Sequence, residues 1–234
     1  MLERDGVYAV RTGVASNTEN GVFSSGAVDP ETVRDVIAWF DERRLPASWL
    51  VAEGEAGAAT AATLEAAACR PEQSGWEMRA ALDTLDLGQD SADVFPVGSE
   101  AQLEAWLDVA GACGWFESDD ERRAWRELQG GLAEPTRLYL ALRDGQPAGM
   151  ASAFFDEEVV LLAAVAVLER ERRRGVGRAL AIARLREARA RGCTLAVLDP
   201  SPEGAKLYES LGFAFHRQPE DRWFYLPTAD ASPQ

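Results

Sequence analysis

The sequence predicts a mixed α/β protein in which helices flank a mostly antiparallel sheet. Three features of the 234-residue chain support this fold class. Apolar runs that alternate like strands are interspersed with segments of helical periodicity along the chain. Three strand-like runs follow one another between residues 136 and 168, which indicates an antiparallel meander. A helix and a further strand come after the meander, as in a β–α–β unit.

The first part of the chain alternates strand and helix signals. Short strands are predicted at GVYAVRT (residues 6–12) and at ASWLVA (residues 47–52). Between them, DPETVRDVIAWFDERR is a well-marked helix, because Asp29 is a suitable N-cap and a proline follows it. An alanine-rich helix over residues 56–68 and a strand that begins near residue 75 complete this part.

A polar, glycine-containing segment, Asp86 to Phe95, separates this part from the rest of the chain. We expect a domain boundary at about residue 90, because compact domains are joined by exposed polar linkers. The predicted N-terminal α/β half spans residues 1–88, and the predicted second domain spans residues 92–228. Residues 229–234 have the composition of a disordered tail.

The second part begins with two predicted helices. The first opens at Ser99, a suitable N-cap, and the second ends at the Gly130–Gly131 pair. In the meander that follows, the third strand, Val159–Leu168, is almost continuously apolar, which is typical of a sheet centre covered on both faces. After it come a helix over Gly175–Arg191, a strand, a short helix and two last strands.

The charge of the chain narrows the range of partners. The 39 acidic residues outnumber the 24 basic ones, which gives a formal net charge of −15. This field repels nucleic acids and anionic membranes, so neither is expected as a partner. It would attract a cationic substrate, although a high negative charge is also a common route to solubility.

Cysteine and histidine usage excludes several kinds of site. Cys69, Cys113 and Cys193 are widely separated, which matches no metal-ligand or redox spacing and indicates free thiols in a reducing cytosol. His216 is the one histidine, so a Ser/His/Asp triad or a multi-histidine metal site is not expected. The N-terminus lacks the apolar core of a signal peptide, and no apolar run is long enough to span a bilayer. We therefore expect a cytoplasmic protein with no metal.

One segment departs from the acidic character of the chain. LERERRRGVGRAL, residues 168–180, contains five arginines and two glycines between a predicted buried strand and a predicted helix. Unpaired N–H groups at a helix start bind anions, glycines let the backbone approach the ligand, and arginines add charge-assisted hydrogen bonds to phosphate. The segment predicts a diphosphate site, with a solvated helix start as the alternative. It matches neither G-x-x-x-x-G-K-[ST] nor G-x-G-x-x-G.

A second segment strengthens this prediction. SPEGAKLYESLGF, residues 201–213, places Tyr208 on a short predicted helix, where an aromatic residue can also be an ordinary core residue. Together, VAVLERERRRGVGRAL and SPEGAKLYESLGF resemble the acyl-CoA-binding core of the GNAT superfamily of N-acetyltransferases. The family pattern Q/R-x-x-G-x-G/A is matched by Arg172, Gly175 and Gly177. The later pattern N-x-x-A-x-x-L-Y-x-x-x-G-F is matched at Leu207, Tyr208, Gly212 and Phe213.

The resemblance implies an N-acetyltransferase that uses acetyl-CoA as acyl donor and needs no metal. The strand before the arginines would bind the pantetheine arm through its backbone, and the loop would hold the pyrophosphate. Tyr208 would protonate, or hydrogen-bond, the departing thiolate. Ser201 stands where relatives often have asparagine and would offer its hydroxyl to the pantetheine arm. The implied cofactor-binding residues are Val165, Ala166, Val167, Arg172, Arg173, Arg174, Gly175, Val176, Gly177, Arg178 and Ser201.

The resemblance does not assign a general base. Many relatives have a glutamate in the strand that reads Leu161–Leu162–Ala163–Ala164 here. Asp156, Glu157 and Glu158 precede that strand and are interpreted as a solvated turn. A water chain, or an amine that arrives neutral, would serve as well.

The N-terminal half has two interpretations. It is either an accessory domain or a degenerate second copy of the same fold, because its order of strands and helices faintly resembles the N-terminal half of tandem superfamily members. It contains no arginine-glycine loop, so we expect no CoA binding there.

The function predicted from the sequence is an N-acyltransferase in which an amine attacks the thioester directly. Two alternatives stay open: a non-catalytic acyl-CoA-binding sensor or interaction module, and a diphosphate-binding protein unrelated to this superfamily. The acceptor, a small-molecule or peptide amine that the acidic charge would favour as a cation, has no readable signature. The oligomeric state has none either.

Overall fold

The computed structural model describes residues 1–4, 6–52, 54–72, 77–88, 92–131, 135–216 and 222–227. The chain divides into two compact units. The first comprises Met1–Ser74 with Gln218–Gln234, and the second comprises Gly75–Arg217. The boundary predicted at residue 90 and the predicted tail, residues 229–234, lie outside the described residues.

Six α-helices occur in the described residues, and two of them begin at caps that the sequence predicts. The helices are α1 (Pro30–Asp41), α2 (Glu55–Ala66), α3 (Glu100–Ala112), α4 (Asp119–Gly130), α5 (Val176–Arg191) and α6 (Ala205–Glu209). Asp29 caps α1, because its carboxylate accepts hydrogen bonds from the N–H groups of Glu31 and Thr32 at 2.8 and 3.0 Å. Ser99 caps α3 in the same way.

The described strands form two sheets, which confirms the predicted mixed α/β fold class. The strands are β1 (Leu2–Arg4), β2 (Val7–Val10), β3 (Gly21–Ser24), β4 (Ser48–Val51), β5 (Arg70–Glu72), β6 (Glu77–Ala81), β7 (Asp93–Pro96), β8 (Thr136–Arg143), β9 (Gln146–Asp156), β10 (Val159–Val167), β11 (Leu195–Leu198), β12 (Ala214–His216) and β13 (Arg222–Tyr225).

The first unit is a six-stranded sheet with two helices. Its strand order is β1-β2-β3-β4-β13-β5. β3 and β4 are parallel, and α1 provides the crossover connection that a parallel pair needs. Val33, Val36 and Phe40 recur at helical spacing and bury one face of α1 in the core of this unit. Trp49 is fully buried in the same core, where its indole N–H donates to Ser24 Oγ at 2.9 Å.

The second unit is a seven-stranded sheet of order β12-β6-β11-β10-β9-β8-β7. Its strands β8, β9 and β10 are the predicted antiparallel meander. β10 and β11 are parallel, and α5 forms the crossover between them. α5 packs against β8, β9 and β10, and α3 packs against β8 and β9. A loop that contains a 3-10 turn at Glu169–Glu171 connects the end of β10 to the start of α5.

Two strands belong to sheets that the sequence did not predict for them. β6 lies within the predicted half 1–88 but pairs with β11 and β12 in the second sheet. β13 lies within the predicted domain 92–228 but pairs with β4 and β5 in the first sheet. The sheets are therefore divided differently from the predicted ranges. Strand pairing depends on contacts between residues distant in sequence, and a linker-like composition does not report them.

A β-bulge interrupts β10 at the point that matters for the site. Ala163 pairs with Ser152 and Ala166 pairs with Met150, so two residues of β10 lie opposite one residue of β9. The first of these two, Ala164, has a φ of +49°. β10 pairs with β11 over Val159–Leu161 and with no described residue of β11 beyond that point. The two parallel strands therefore separate toward their C-terminal ends.

Substitution of Gly149 on β9 tests how closely this strand approaches Val176 and Ala166 near the bulge. A methyl group added there would lie 2.8 Å from Cγ1 of Val176 and 3.0 Å from the carbonyl oxygen of Ala166. We expect Gly149→Ala to lower the free energy of unfolding by about 1–3 kcal/mol, the usual cost of overpacking a core. Urea denaturation measures this change.

Gly130→Ala is the matched control. A methyl group there would lie 3.5 Å from Cδ2 of Leu103, an ordinary contact, and Gly130 ends a helix. This variant should be as stable as the wild type or gain up to about 1 kcal/mol from helix propensity. Equal stabilities of the two variants would contradict the close approach at Gly149.

Candidate functional site

A cleft of about 620 Å³ opens in the second unit where β10 and β11 separate; we call it the β10–β11 cleft. Its walls come from the end of β10, the loop that follows, the start of α5, the segment from β11 to α6, and the residues just after α3. The predicted site residues that line it are Val165, Ala166, Val167, Arg172, Arg173, Gly175, Gly177, Arg178, Ser201 and Tyr208. Most of the residues predicted from sequence therefore meet at one cavity.

The start of α5 is arranged to bind an anion. Gly175 occupies the N-cap position with a φ of +86°, a conformation that suits glycine, and no side chain caps the helix. The first N–H groups of α5 consequently have no partner within the helix. Arg172, Arg173 and Arg178 also line the cleft. Nε of Arg172 donates to the carbonyl oxygen of Val167 at 3.2 Å, and Nη1 of Arg178 donates to Oγ of Ser210 at 3.4 Å. Helix dipole and arginines together favour a phosphate or diphosphate group here.

The side chains of two predicted site residues do not line the cleft. Arg174 turns to Glu171, with Nη1 3.3 Å from Oε2, and its carbonyl oxygen accepts a hydrogen bond from Arg143. Val176 is buried in the core of the second unit. Consecutive residues at a helix start point in different directions, so a motif read along the sequence does not distinguish wall residues from core residues.

Tyr208 lies on α6 and is 6% exposed, with its ring edge-on to Phe213 at a centroid distance of 5.5 Å. Its hydroxyl oxygen accepts a hydrogen bond from Nη2 of Arg184 at 3.5 Å. The sequence analysis did not select Arg184, which is fully buried on α5. One signal could have identified it: Arg184 occupies the apolar stripe of the helix, four residues after Leu180 and four before Ala188.

Ser201 takes part in a turn as well as lining the cleft. Its Oγ accepts a hydrogen bond from the N–H of Gly204 at 3.1 Å, which stabilises the chain just before α6. A hydroxyl that accepts in this way can still donate its own proton. The side chain is exposed, so it is available to a ligand in the cleft.

Two carboxylates that the sequence analysis missed, Asp199 and Glu203, line the cleft. Asp199 directly follows β11, at the C-terminal end of a parallel strand, where ligand sites commonly form. Either group can accept a proton. The acidic turn Asp156–Glu158 is exposed and does not line the cleft, in agreement with its interpretation as a solvated turn.

Cys113 and Trp115, which come just after α3, complete the wall. Burial raises the pKa of the Cys113 thiol, and the nearby Arg172 opposes this shift. Cys113 is half-buried, whereas Cys69 and Cys193 are buried. In the described ranges, no group of three or more His, Cys, Asp or Glu side chains is placed to hold a metal ion. No helix in those ranges is long and apolar enough to cross a membrane.

Comparison with known proteins identifies the family of this region. Residues 101–213 match the family model described as "Acetyltransferase (GNAT) family". A GCN5-related N-acetyltransferase from Kribbella flavida has a similar structure, with 22% identity and a TM-score of 0.67 over 98% of this chain and 89% of that chain. A GCN5-related N-acetyltransferase from Sphaerobacter thermophilus is 16% identical, with a TM-score of 0.59 over 96% and 78% of the two chains.

A third similar structure is described as a tandem GNAT protein. This tandem GNAT protein, from the clavulanic acid biosynthesis pathway, is 17% identical, with a TM-score of 0.52 over 88% of this chain and 74% of that chain. At these identities the three structures show a shared fold. A comparison of the sequence with curated proteins gave no match.

Alkylation of Cys113 tests whether acetyl-CoA occupies the cleft. Iodoacetamide should modify Cys113 before the two buried thiols, slowly at about pH 7 and faster toward about pH 9, because a raised thiol pKa lowers the reactive thiolate fraction. Saturating acetyl-CoA should slow the reaction, which peptide mass spectrometry measures. Cys113→Ser is the control for the site of modification. The same rate with and without acetyl-CoA would contradict this placement.

Proposed function

Residues 101–213 match the GNAT acetyltransferase family, and from this premise we propose that the chain transfers an acetyl group from acetyl-CoA to an amine. One observation supports the proposal most directly. The separated edge of β10, the arginine-rich start of α5 and the Tyr208 side chain line a single cleft. The cleft volume of about 620 Å³ is in the range of cofactor and small-molecule sites.

The geometry suits each part of an acyl-CoA. The pyrophosphate would bind the first N–H groups of α5, with Arg172, Arg173 and Arg178 supplying opposite charge. The pantetheine arm would run along β10 and hydrogen-bond its backbone at Val165–Val167 as an added strand does. Ser201, on the opposite wall, would donate its hydroxyl proton to the arm.

The chemistry would be direct attack by the amine on the thioester carbonyl. The enzyme would act mainly by positioning the two reactants, which avoids the entropic cost of bringing them together in the transition state. Backbone N–H groups near the bulge in β10 would stabilise the developing oxyanion. The Tyr208 hydroxyl would give its proton to the departing thiolate. Asp199, Glu203 or a water chain would accept the proton of a protonated amine. An amine that arrives neutral would need no such base before it attacks.

The acceptor proposed for this reaction is a small-molecule or peptide amine. The formal net charge of −15 favours a cationic one, because a negative field concentrates cations near the protein. We propose a cytoplasmic protein without nucleic-acid or membrane partners. We also propose that the N-terminal half is a degenerate copy of the fold, and the similarity to a tandem GNAT protein over 88% of this chain supports this interpretation.

The alternative function is a non-catalytic acyl-CoA sensor. It is favoured by the sequence of β10, in which Val159–Val167 contains no carboxylate residue. Binding without turnover would then be expected, and the two variants below separate this alternative from the enzyme.

A carboxylate placed in the phosphate loop should abolish cofactor binding. Gly177 is the suitable position, because a methyl group there would lie 3.5 Å from Cδ2 of Leu207, an ordinary van der Waals contact. Gly175 is unsuitable, because its φ of +86° means that any side chain would strain the backbone. In calorimetric titrations with acetyl-CoA, Gly177→Asp should weaken binding by about 100-fold or more through like-charge repulsion. Gly177→Ala is the uncharged control and should bind nearly as well as the wild type. A wild-type protein that does not bind acetyl-CoA would overturn the proposed function.

Removal of the Tyr208 hydroxyl should affect turnover and not affinity. With hydroxylamine as the amine probe, Tyr208→Phe should lower kcat by about 100-fold, the usual contribution of a general acid, and leave the Kd for acetyl-CoA unchanged. Acetohydroxamate formation above the uncatalysed rate measures kcat. If the wild type binds acetyl-CoA and gives no excess hydroxamate, the sensor is the correct alternative.

A further inference from the structure

Arg184 is the buried charged residue that the proposed chemistry does not yet use. It lies in the middle of α5 with a relative exposure of 0%. A fully buried arginine is rare, because removing a guanidinium from water costs several kcal/mol unless its hydrogen bonds and charge are compensated. Its position therefore requires an explanation from its contacts.

Four of the five N–H donors of Arg184 have hydrogen-bond partners, but none of these partners neutralises its charge. Nε donates to the carbonyl oxygen of Leu180 at 2.9 Å, and Nη1 donates to the carbonyl oxygens of Ser152 and Ala163 at 2.9 and 3.2 Å. Nη2 donates to the Tyr208 hydroxyl oxygen at 3.5 Å. Within the described part of the chain, none of these hydrogen-bond partners is a carboxylate. The positive charge of Arg184 therefore lies beside the phenol oxygen at a buried contact.

The contacts also connect the two halves of the proposed reaction site. Ser152 and Ala163 are the last register pair before the bulge in β10, so the guanidinium holds the backbone at the point where β10 departs from regular pairing. The same group reaches Tyr208 on α6. A single planar side chain thus contacts both the bulged strand and the phenol.

The hydrogen-bonding capacity of a guanidinium limits the directions in which the Tyr208 O–H can point. A guanidinium donates hydrogen bonds and accepts none, so the phenol oxygen must be the acceptor in this pair. The O–H proton of Tyr208 is consequently free to point away from Arg184. Tyr208 is one of the residues that line the β10–β11 cleft.

We propose that Arg184 is a positioning residue that directs the Tyr208 proton toward the thioester sulfur and stabilises the phenolate left after proton transfer; the proposal rests on the proposed function. In this step the amine nitrogen bonds to the thioester carbon, the C–S bond breaks, and the sulfur takes the Tyr208 proton. The substituted nitrogen loses a proton to water, and the phenolate recovers one from water. The guanidinium charge compensates the transient negative charge on the phenol oxygen.

The experiment is a double-mutant cycle in the full chain, with acetyl-CoA and hydroxylamine as the substrates. Arg184→Gln should lower kcat by about 10- to 100-fold, the range for a hydrogen bond to a charged group, with little change in KM for acetyl-CoA. In the Tyr208→Phe background the same substitution should have no further effect on kcat, because its route of action is absent. A residue with a merely structural role would lower kcat by the same factor in both backgrounds.

Two further variants control for folding. Arg184→Lys keeps a buried cation without the planar fork and should retain a kcat between those of the wild type and Arg184→Gln. It also serves as the test variant if Arg184→Gln does not fold. Arg189→Gln is the matched control on the same helix, because Arg189 also donates to backbone carbonyl oxygens, but to those of Leu82 and Leu85. It should lower stability and leave kcat unchanged.

The outcomes separate this proposal from the proposed function. Additive effects of Arg184→Gln and Tyr208→Phe, an effect confined to KM, or an equal loss of kcat in Arg189→Gln would each overturn the positioning role. A wild type that binds acetyl-CoA without raising the hydroxamate rate would overturn it as well and leave cofactor binding intact. Failure of the wild type to bind acetyl-CoA would instead remove the proposed function itself.

Discussion

The separation of β10 from β11 is the constraint on which the candidate site depends. The two strands pair in parallel over Val159–Leu161 and diverge after the bulge that contains Ala164. Divergence releases backbone groups of β10 from sheet pairing, and it leaves a gap that is lined from both strands. Because α5 starts after β10 and α6 follows β11, the gap also receives a helix N-terminus and the Tyr208 side chain. A continuous ladder would close this cleft and leave no place for a pantetheine arm.

Positive charge is concentrated around α5, although the chain as a whole is negatively charged. The formal net charge is −15, yet Arg172, Arg173 and Arg178 surround one helix start, and Arg184 is buried on the same helix. The three arginines at the helix start line the cleft, where a phosphate could pair with several of them. The buried arginine contacts neutral oxygens and adds its charge where water does not screen it. Positive charge therefore occurs both at the start of α5, beside the cleft, and in its buried middle, beside Tyr208.

Local sequence patterns predicted helix starts and strands in this protein, but not which strands pair with each other. Asp29 and Ser99 cap their helices as predicted, because a cap depends on residues within one turn. β6 and β13 have recognisable strand patterns, but each pairs in the sheet of the other predicted half. Both patterns fit any apolar sheet face, and the partner is selected by packing between segments far apart in the sequence. Sheet membership was therefore not available from the boundary segment at Asp86–Phe95.

The sequence by itself determined the fold class, the meander, the arginine-glycine helix start and the pairing of that motif with Tyr208, because each depends on short-range spacing. Only the tertiary structure decided which residues line the β10–β11 cleft. It directed Arg174 to Glu171 and Val176 into the core, and it brought Asp199 to the cleft wall. It also placed Arg184 beside Tyr208, a contact across 24 residues that requires two helices and a bulged strand to pack together. Spacing specifies a helix face, but the identity of the neighbour across that face is a property of the packed core.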